Sequence, residues 1–165
     1  MVSQKKTVPK RVELNALKKI GFSPRLAERI VGVNYNTILY WVRTGLVKAS
    51  IRYESKQWQP VLFSFDDLLE LKFIKSLRDK GAPTRRIRRA LSYLRKNIPE
   101  HRRELYIDVT DDDIQIYLSA QDVMSVAKTQ GQLLLINVGQ LRKDVASRTF
   151  KQAKRKAMNL KLATG

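Results

Sequence analysis

Between Ser23 and Gly45 the chain is punctuated so tightly that few local structures fit it. Ser23 can cap a helix and Pro24 suits the first helical turn, where its missing N–H costs nothing. Leu26, Ala27, Ile30 and Val31 then fall on one face before Gly32 stops the run. After the step Gly32-Val33-Asn34, Ile38, Trp41 and Val42 recur at core spacing from about Tyr35 to Arg43, and Gly45 terminates the segment. Two short amphipathic helices about one glycine turn make a helix-turn-helix.

The segment from Ile51 to Phe63 changes period. Ile51 and Tyr53, then Val61 and Phe63, flank a polar tip at Glu54, Ser55, Lys56 and Gln57, which predicts a two-stranded hairpin or wing. Ser64 and Asp67 form a capping-box-like pair, after which Phe65, Leu68, Leu69, Phe73 and Leu77 repeat at helical spacing until Gly81 and Pro83. A further helix is expected from about Pro83 to Asn97, with Ile87, Leu91 and Leu94 on one stripe, ended by Pro99. From Leu105 the texture is β: 105–109, a turn at 110–112, then Ile114 to Leu118, with two more strand candidates at 123–126 and 133–138. A weakly amphipathic helix is expected from Leu141 to the end. The expected class is α+β, an N-terminal winged helix-turn-helix followed by a small antiparallel β module and a C-terminal helix.

The charge balance decides what such a chain binds. Among 165 residues, 33 Lys+Arg against 15 Asp+Glu leave a formal charge of +18, an imbalance that repels itself on compaction and implies a polyanionic partner. Nucleic acid comes first. An anionic membrane comes second, but no stretch approaches the ~20 apolar residues of a spanning helix and no signal segment opens the chain, so a cytoplasmic, nucleoid-associated location is the default. With no cysteine and His101 as the sole histidine, thiolate metal sites, disulfides and Cys- or His-based nucleophilic catalysis are excluded or nearly so. His101 lies in a polar connector and reads as a solvated side chain. Asp111, Asp112 and Asp113 splay at a hairpin tip and read as a turn rather than a cation site. Asp66, Asp67 and Glu70 suit a helix N-terminus. No catalytic constellation, metal site or cofactor is expected.

The run from Phe22 to Val47 resembles the opening of the MerR family. Leu26-Ala27 and Gly32-Val33 match its first helix, Thr37-Ile38-Leu39-Tyr40-Trp41 its recognition helix, and Gly45-Leu46-Val47 the exit into its wing. The likeness continues through Phe63-Ser64-Phe65-Asp66-Asp67-Leu68-Leu69 to Leu94. Leu39 stands where the family commonly carries arginine, the wing offers Arg52, Lys56 and Trp58 in place of a Gly-Tyr-Arg signature, and Pro99 falls where effector-binding members continue into a long dimerising helix. The resemblance implies duplex DNA binding by a compact member of that family. The expected divisions are a basic arm at 1–20, the winged domain at 21–98, a β-rich dimerisation or partner-binding module at 104–140 and a basic tail at 141–165.

On that reading the start of the second helix enters the major groove, where its first side chains reach base edges. Asn34, Tyr35, Asn36 and Thr37 are the candidates for base readout. Asn36 leads because an amide donates and accepts at once, as adenine requires. Arg25, Tyr40, Arg43, Arg52, Lys56, Arg85 and Arg86 are the candidates for phosphate contacts, and Trp58 is a wing-tip contact unless it folds back onto the hairpin. Asn34 reads first as the cap of that helix, whether or not it also meets a base. Three functions follow: a transcriptional regulator, expected as a homodimer and a repressor; an antitoxin that binds a toxin partner through the β module; or a non-specific architectural DNA- or RNA-binding protein.

Overall fold

Ser23, in extended conformation, accepts the Leu26 N–H on its side chain at 3.3 Å and caps helix α1 (Pro24–Ala27). The helix widens at once into a π-helical turn over Glu28–Gly32, closed by Gly32 at φ 78°. Helix α2 (Tyr35–Arg43) follows after two extended residues, with Ile38 and Trp41 buried. These elements belong to a computed structural model that describes residues 20–51, 61–97, 106–109, 114–117, 121, 123 and 135–163. The arm at 1–19, the wing tip with Arg52, Lys56 and Trp58, His101 and the aspartates at 111–113 lie outside the described residues.

Contacts divide the chain into two compact units, one formed by the residues up to Leu68 together with those from Lys143 onward, the other by Leu69–Arg142. In the first unit, the helix pair rests on three short extended segments. Phe22 and Phe63 exchange backbone hydrogen bonds at 2.8 Å, and Ile51 donates to the carbonyl of Leu62 at 3.3 Å, so residues 62 and 63 are flanked on either side by antiparallel bridges. Gly21 permits this approach, since a Cβ there would come within 3.2 Å of the Leu62 side chain. Ile30, Ile38, Phe63 and Phe65 are among the side chains sealed from water in this unit.

Helix α3 (Phe65–Asp79) begins at the expected capping box. The Ser64 hydroxyl accepts the Asp67 N–H at 3.1 Å and the Asp67 carboxylate accepts the Ser64 N–H at 2.8 Å, satisfying two of the donors that a helix start leaves open. Gly81, at φ 83°, ends α3, and the carbonyl of Pro83 accepts the Ile87 N–H as helix α4 (Thr84–Asn97) starts. Within the second unit α4 returns beside α3. Arg95 near its end makes a two-pronged ion pair with Glu70 at 2.6 and 2.7 Å.

The same unit carries a three-stranded antiparallel sheet in the order β2-β1-β3, with β1 (Tyr106–Val109) central, β2 (Ile114–Tyr117) paired Ile107 to Ile116, and β3 (Leu135–Asn137) paired Ile107 to Ile136. Ile107, Asp108 and Val109 are all buried, so both faces of the central strand are covered. The described elements are thus helix-rich with a small antiparallel sheet, and the class is α+β.

Two expectations fail here. Val123 lies in helical backbone, not in a strand. The strand expected over 133–138 is confined to Leu135–Asn137 among the described residues, because the Asn137 side chain accepts the Gln140 N–H at 2.8 Å and starts helix α5 (Val138–Ala163) three residues before the expected onset. A run of apolar residues that short does not distinguish strand from helix, whereas the asparagine cap does.

Candidate nucleic-acid interface

The second helix presents two faces of different character. Its inner side buries Ile38 and Trp41, and removing side chains of that size from water stabilises by about 1.5–3 kcal/mol each. On its outer side, Asn36, Tyr40 and Arg43 follow at i, i+4 and i+7, which stacks them in one stripe along the helix. All three are exposed, and Tyr40 remains 54% accessible although it is a large aromatic residue. Leu39, half-buried, flanks the stripe.

The start of the helix is fixed from two directions. Asn34 is the N-cap: its Oδ1 accepts the Asn36 N–H at 2.9 Å while its carbonyl accepts the Ile38 N–H at 3.0 Å. Glu28, in the π-helical turn, reaches across the glycine step and accepts the Tyr35 N–H at 3.0 Å. A carboxylate at a helix N-terminus also interacts favourably with the helix dipole. Arg25 completes the arrangement. Its guanidinium lies 4.0 Å from the centre of the Tyr35 ring and 3.4 Å from the Glu28 carboxylate.

At the other end, Thr44 donates its hydroxyl to the carbonyls of Tyr40 and Trp41, while Leu46 N–H bonds to Trp41 and Gly45 N–H to Val42. This is a Schellman ending, with Gly45 in the left-handed region at φ 68°. The chain then runs to Ser50, whose N–H and hydroxyl both bond the Asp67 carboxylate, at 2.8 and 2.7 Å. Asp67 is buried and so ties the root of the expected wing to the first turn of α3.

Measured against the sequence-based candidates, the structure brings Arg25, Asn34, Tyr35, Asn36, Thr37, Tyr40 and Arg43 together on one helix pair. Thr37 is half-buried, and Tyr35 is half-buried beneath Arg25. Arg85, exposed, and Arg86, half-buried, lie on α4 in the other unit. Arg52, Lys56 and Trp58 fall outside the described residues. Sequence reasoning missed Glu28, whose bond to Tyr35 spans seven positions and a turn; the residue type and the distance from the N-cap carried no local pattern that marks it. Among the described residues no group of three His, Cys, Asp or Glu side chains is placed to hold a metal ion. No helix of the described residues is long and apolar enough to cross a membrane.

Comparison with known proteins agrees with this geometry. Residues 15–94 match the family described as MerR HTH family regulatory protein. The chain is 39% identical over 77 residues to an uncharacterized HTH-type transcriptional regulator of Mycobacterium bovis, and to proteins of the same description from two strains of Mycobacterium tuberculosis. The aligned part is 47% of this chain and 34% of each relative, so the chain spans about a third of the length of the curated relatives it matches. The glycine-stepped helix pair and the capped helix after it thus lie in the stretch, residues 15–94, over which this chain matches the helix-turn-helix region of MerR family regulators.

Proposed function

We propose that this protein is a transcriptional regulator that binds duplex DNA in a sequence-dependent way, with α2 in the major groove and the hairpin between Ile51 and Leu62 acting as a wing on the backbone. One observation carries this reading: the exposed stripe Asn36, Tyr40, Arg43 on a helix whose opposite face is buried and whose first turn is held by Asn34 and Glu28. A helix anchored in this way can insert without rearranging, and its side chains follow the order that a groove requires. The amide of Asn36 near the helix start meets base edges, while Tyr40 and Arg43 farther along meet phosphates. The antiparallel bridge between Ile51 and Leu62 brings the two ends of the expected wing together. The relatives are named transcriptional regulators, and the charge of +18 supplies the sequence-independent part of the affinity.

The deciding experiment is a competition binding assay with the full chain. It sets the upstream region of the gene's own operon against random duplex of equal length, at two salt concentrations. A discrete footprint and a preference of ~10³ or more over random sequence are expected. Equal binding to both at physiological salt would sink the assignment and leave a non-specific architectural protein.

A further inference from the structure

The last helix does more than close the fold. In its first half α5 is an ordinary amphipathic helix: Leu141, Val145, Ala146 and Thr149 are buried, Arg148 pairs with Asp144 at 3.1 Å, and the Thr149 hydroxyl is satisfied by the Val145 carbonyl. Beyond Thr149 no described side chain is buried, although the helix runs on to Ala163. Those further 14 residues, Phe150–Ala163, add roughly 21 Å at ~1.5 Å per residue.

The charge along this stretch is of one sign. After Asp144 the sequence contains Arg148, Lys151, Lys154, Arg155, Lys156 and Lys161 and no acidic residue. Lys151, Lys154 and Arg155 stand at i, i+3 and i+4, so they share one face, and all three are exposed. A stretch whose described side chains are at most half-buried gains little hydrophobic stabilisation from them, and repulsion among like charges three and four apart opposes the helix. Such a stretch is best satisfied by a polyanion laid against it.

The partition of the contacts bears on where such a polyanion would lie. From Lys143 onward the chain belongs to the compact unit that also holds α1, α2 and the segments at the wing root, although the residues directly before it belong to the other unit. The basic helix is therefore grouped with the helix pair that carries the Asn36 stripe. We infer that Lys151, Lys154 and Arg155 form a second phosphate-binding surface, which grips the duplex backbone outside the groove occupied by α2. This rests on the DNA-binding reading above and extends it. The start of α2 supplies sequence readout, and the far end of α5 adds to the salt-sensitive hold that Arg43 and the wing provide.

The test uses the full chain and its Lys151→Gln/Lys154→Gln/Arg155→Gln variant. Gln is a good helix former, so the helix is retained, and circular dichroism checks this. Affinity for the operator duplex is measured across a salt series. Each phosphate contact contributes about 0.9 to the slope of log affinity against log salt, so a loss of roughly 2 to 3 in slope is expected with an unchanged footprint, whereas Asn36→Ala should leave the slope in place. Because the chain has no cysteine, Lys154→Cys carries a single photocrosslinker, which should attach to the DNA backbone next to the footprint. An unaltered slope with no crosslink overturns the inference, as does an effect confined to self-association in sedimentation, to anionic vesicles or to single-stranded RNA. Failure of the unsubstituted protein to bind duplex at all removes the underlying reading instead, and the two failures are told apart by that control.

Discussion

Glu28 accepts the backbone N–H of Tyr35 at 3.0 Å, so a side chain from the first helix holds the first turn of the second. The two helices are thereby locked across the glycine step by a charge-assisted bond as well as by their shared core. Glu28→Ala should destabilise the protein by about 1–2 kcal/mol in urea unfolding, the range for hydrogen bonds to charged groups less the solvent screening of a half-buried site. Glu28→Gln keeps an acceptor oxygen and should cost less than half as much. Equal losses in the two variants would show that the charge rather than the bond matters.

Asp67 presents a harsher case. One carboxylate oxygen accepts from the Ser50 N–H, the Ser50 hydroxyl and the Ser64 N–H, in a buried position. Asp67→Ala leaves all three donors without it and removes half of the capping box, so a loss of about 3 kcal/mol or more is expected. Hydrogen exchange at Ser50 and Ser64 should accelerate together, because they share the acceptor; acceleration at only one of them would contradict the shared clamp.

Gly45 isolates a backbone effect. It sits at φ 68° with nothing within 4 Å of where a Cβ would be, so Gly45→Ala meets no clash and its cost is the left-handed conformation alone. About 1–2 kcal/mol is expected, and Gly45→Asn should recover part of it, since asparagine tolerates that region. A thermal melt on the three proteins measures the series, and an alanine variant as stable as the parent would disprove the Schellman ending.

For the interface, substitutions on the stripe should separate by kind. Asn36→Ala is expected to relax sequence preference and cost about 1–3 kcal/mol on the best operator while barely changing affinity for random duplex. Arg43→Ala and Lys56→Ala should weaken every duplex alike. If Asn36→Ala lowers all affinities in parallel, base readout lies elsewhere.

How much of this could be read without coordinates differs element by element. The caps were legible because capping is local chemistry: Ser23 before Pro24, Asn34 after a glycine step, and the Ser64/Asp67 pair all act within three residues of themselves, and each does what its position predicts. The buried stripe of α2 was legible for the same reason, since Ile38 and Trp41 announce their face by spacing. The stripe Asn36, Tyr40, Arg43 follows as its complement.

Other features depend on partners distant in sequence. Asn137 could have been recognised as a cap, but the apolar residues before it concealed the switch from strand to helix. Nothing local places β3 on the other side of β1 from β2 or buries Asp108 in the central strand, because the pairing of β1 with β3 joins positions as far apart as Tyr106 and Asn137.

By itself the sequence determined where α1 to α4 begin and end, which of their faces are apolar and how large a positive charge the chain carries, because hydrogen bonding at helix ends, periodicity and net charge are local or additive properties. Tertiary structure alone decided that Glu28 grips Tyr35, that Arg25 covers its ring and that the part of α5 from Lys143 onward joins the unit of α2. Those depend on the chain returning to itself, and that return is specified by the sum of the packing rather than by any one segment.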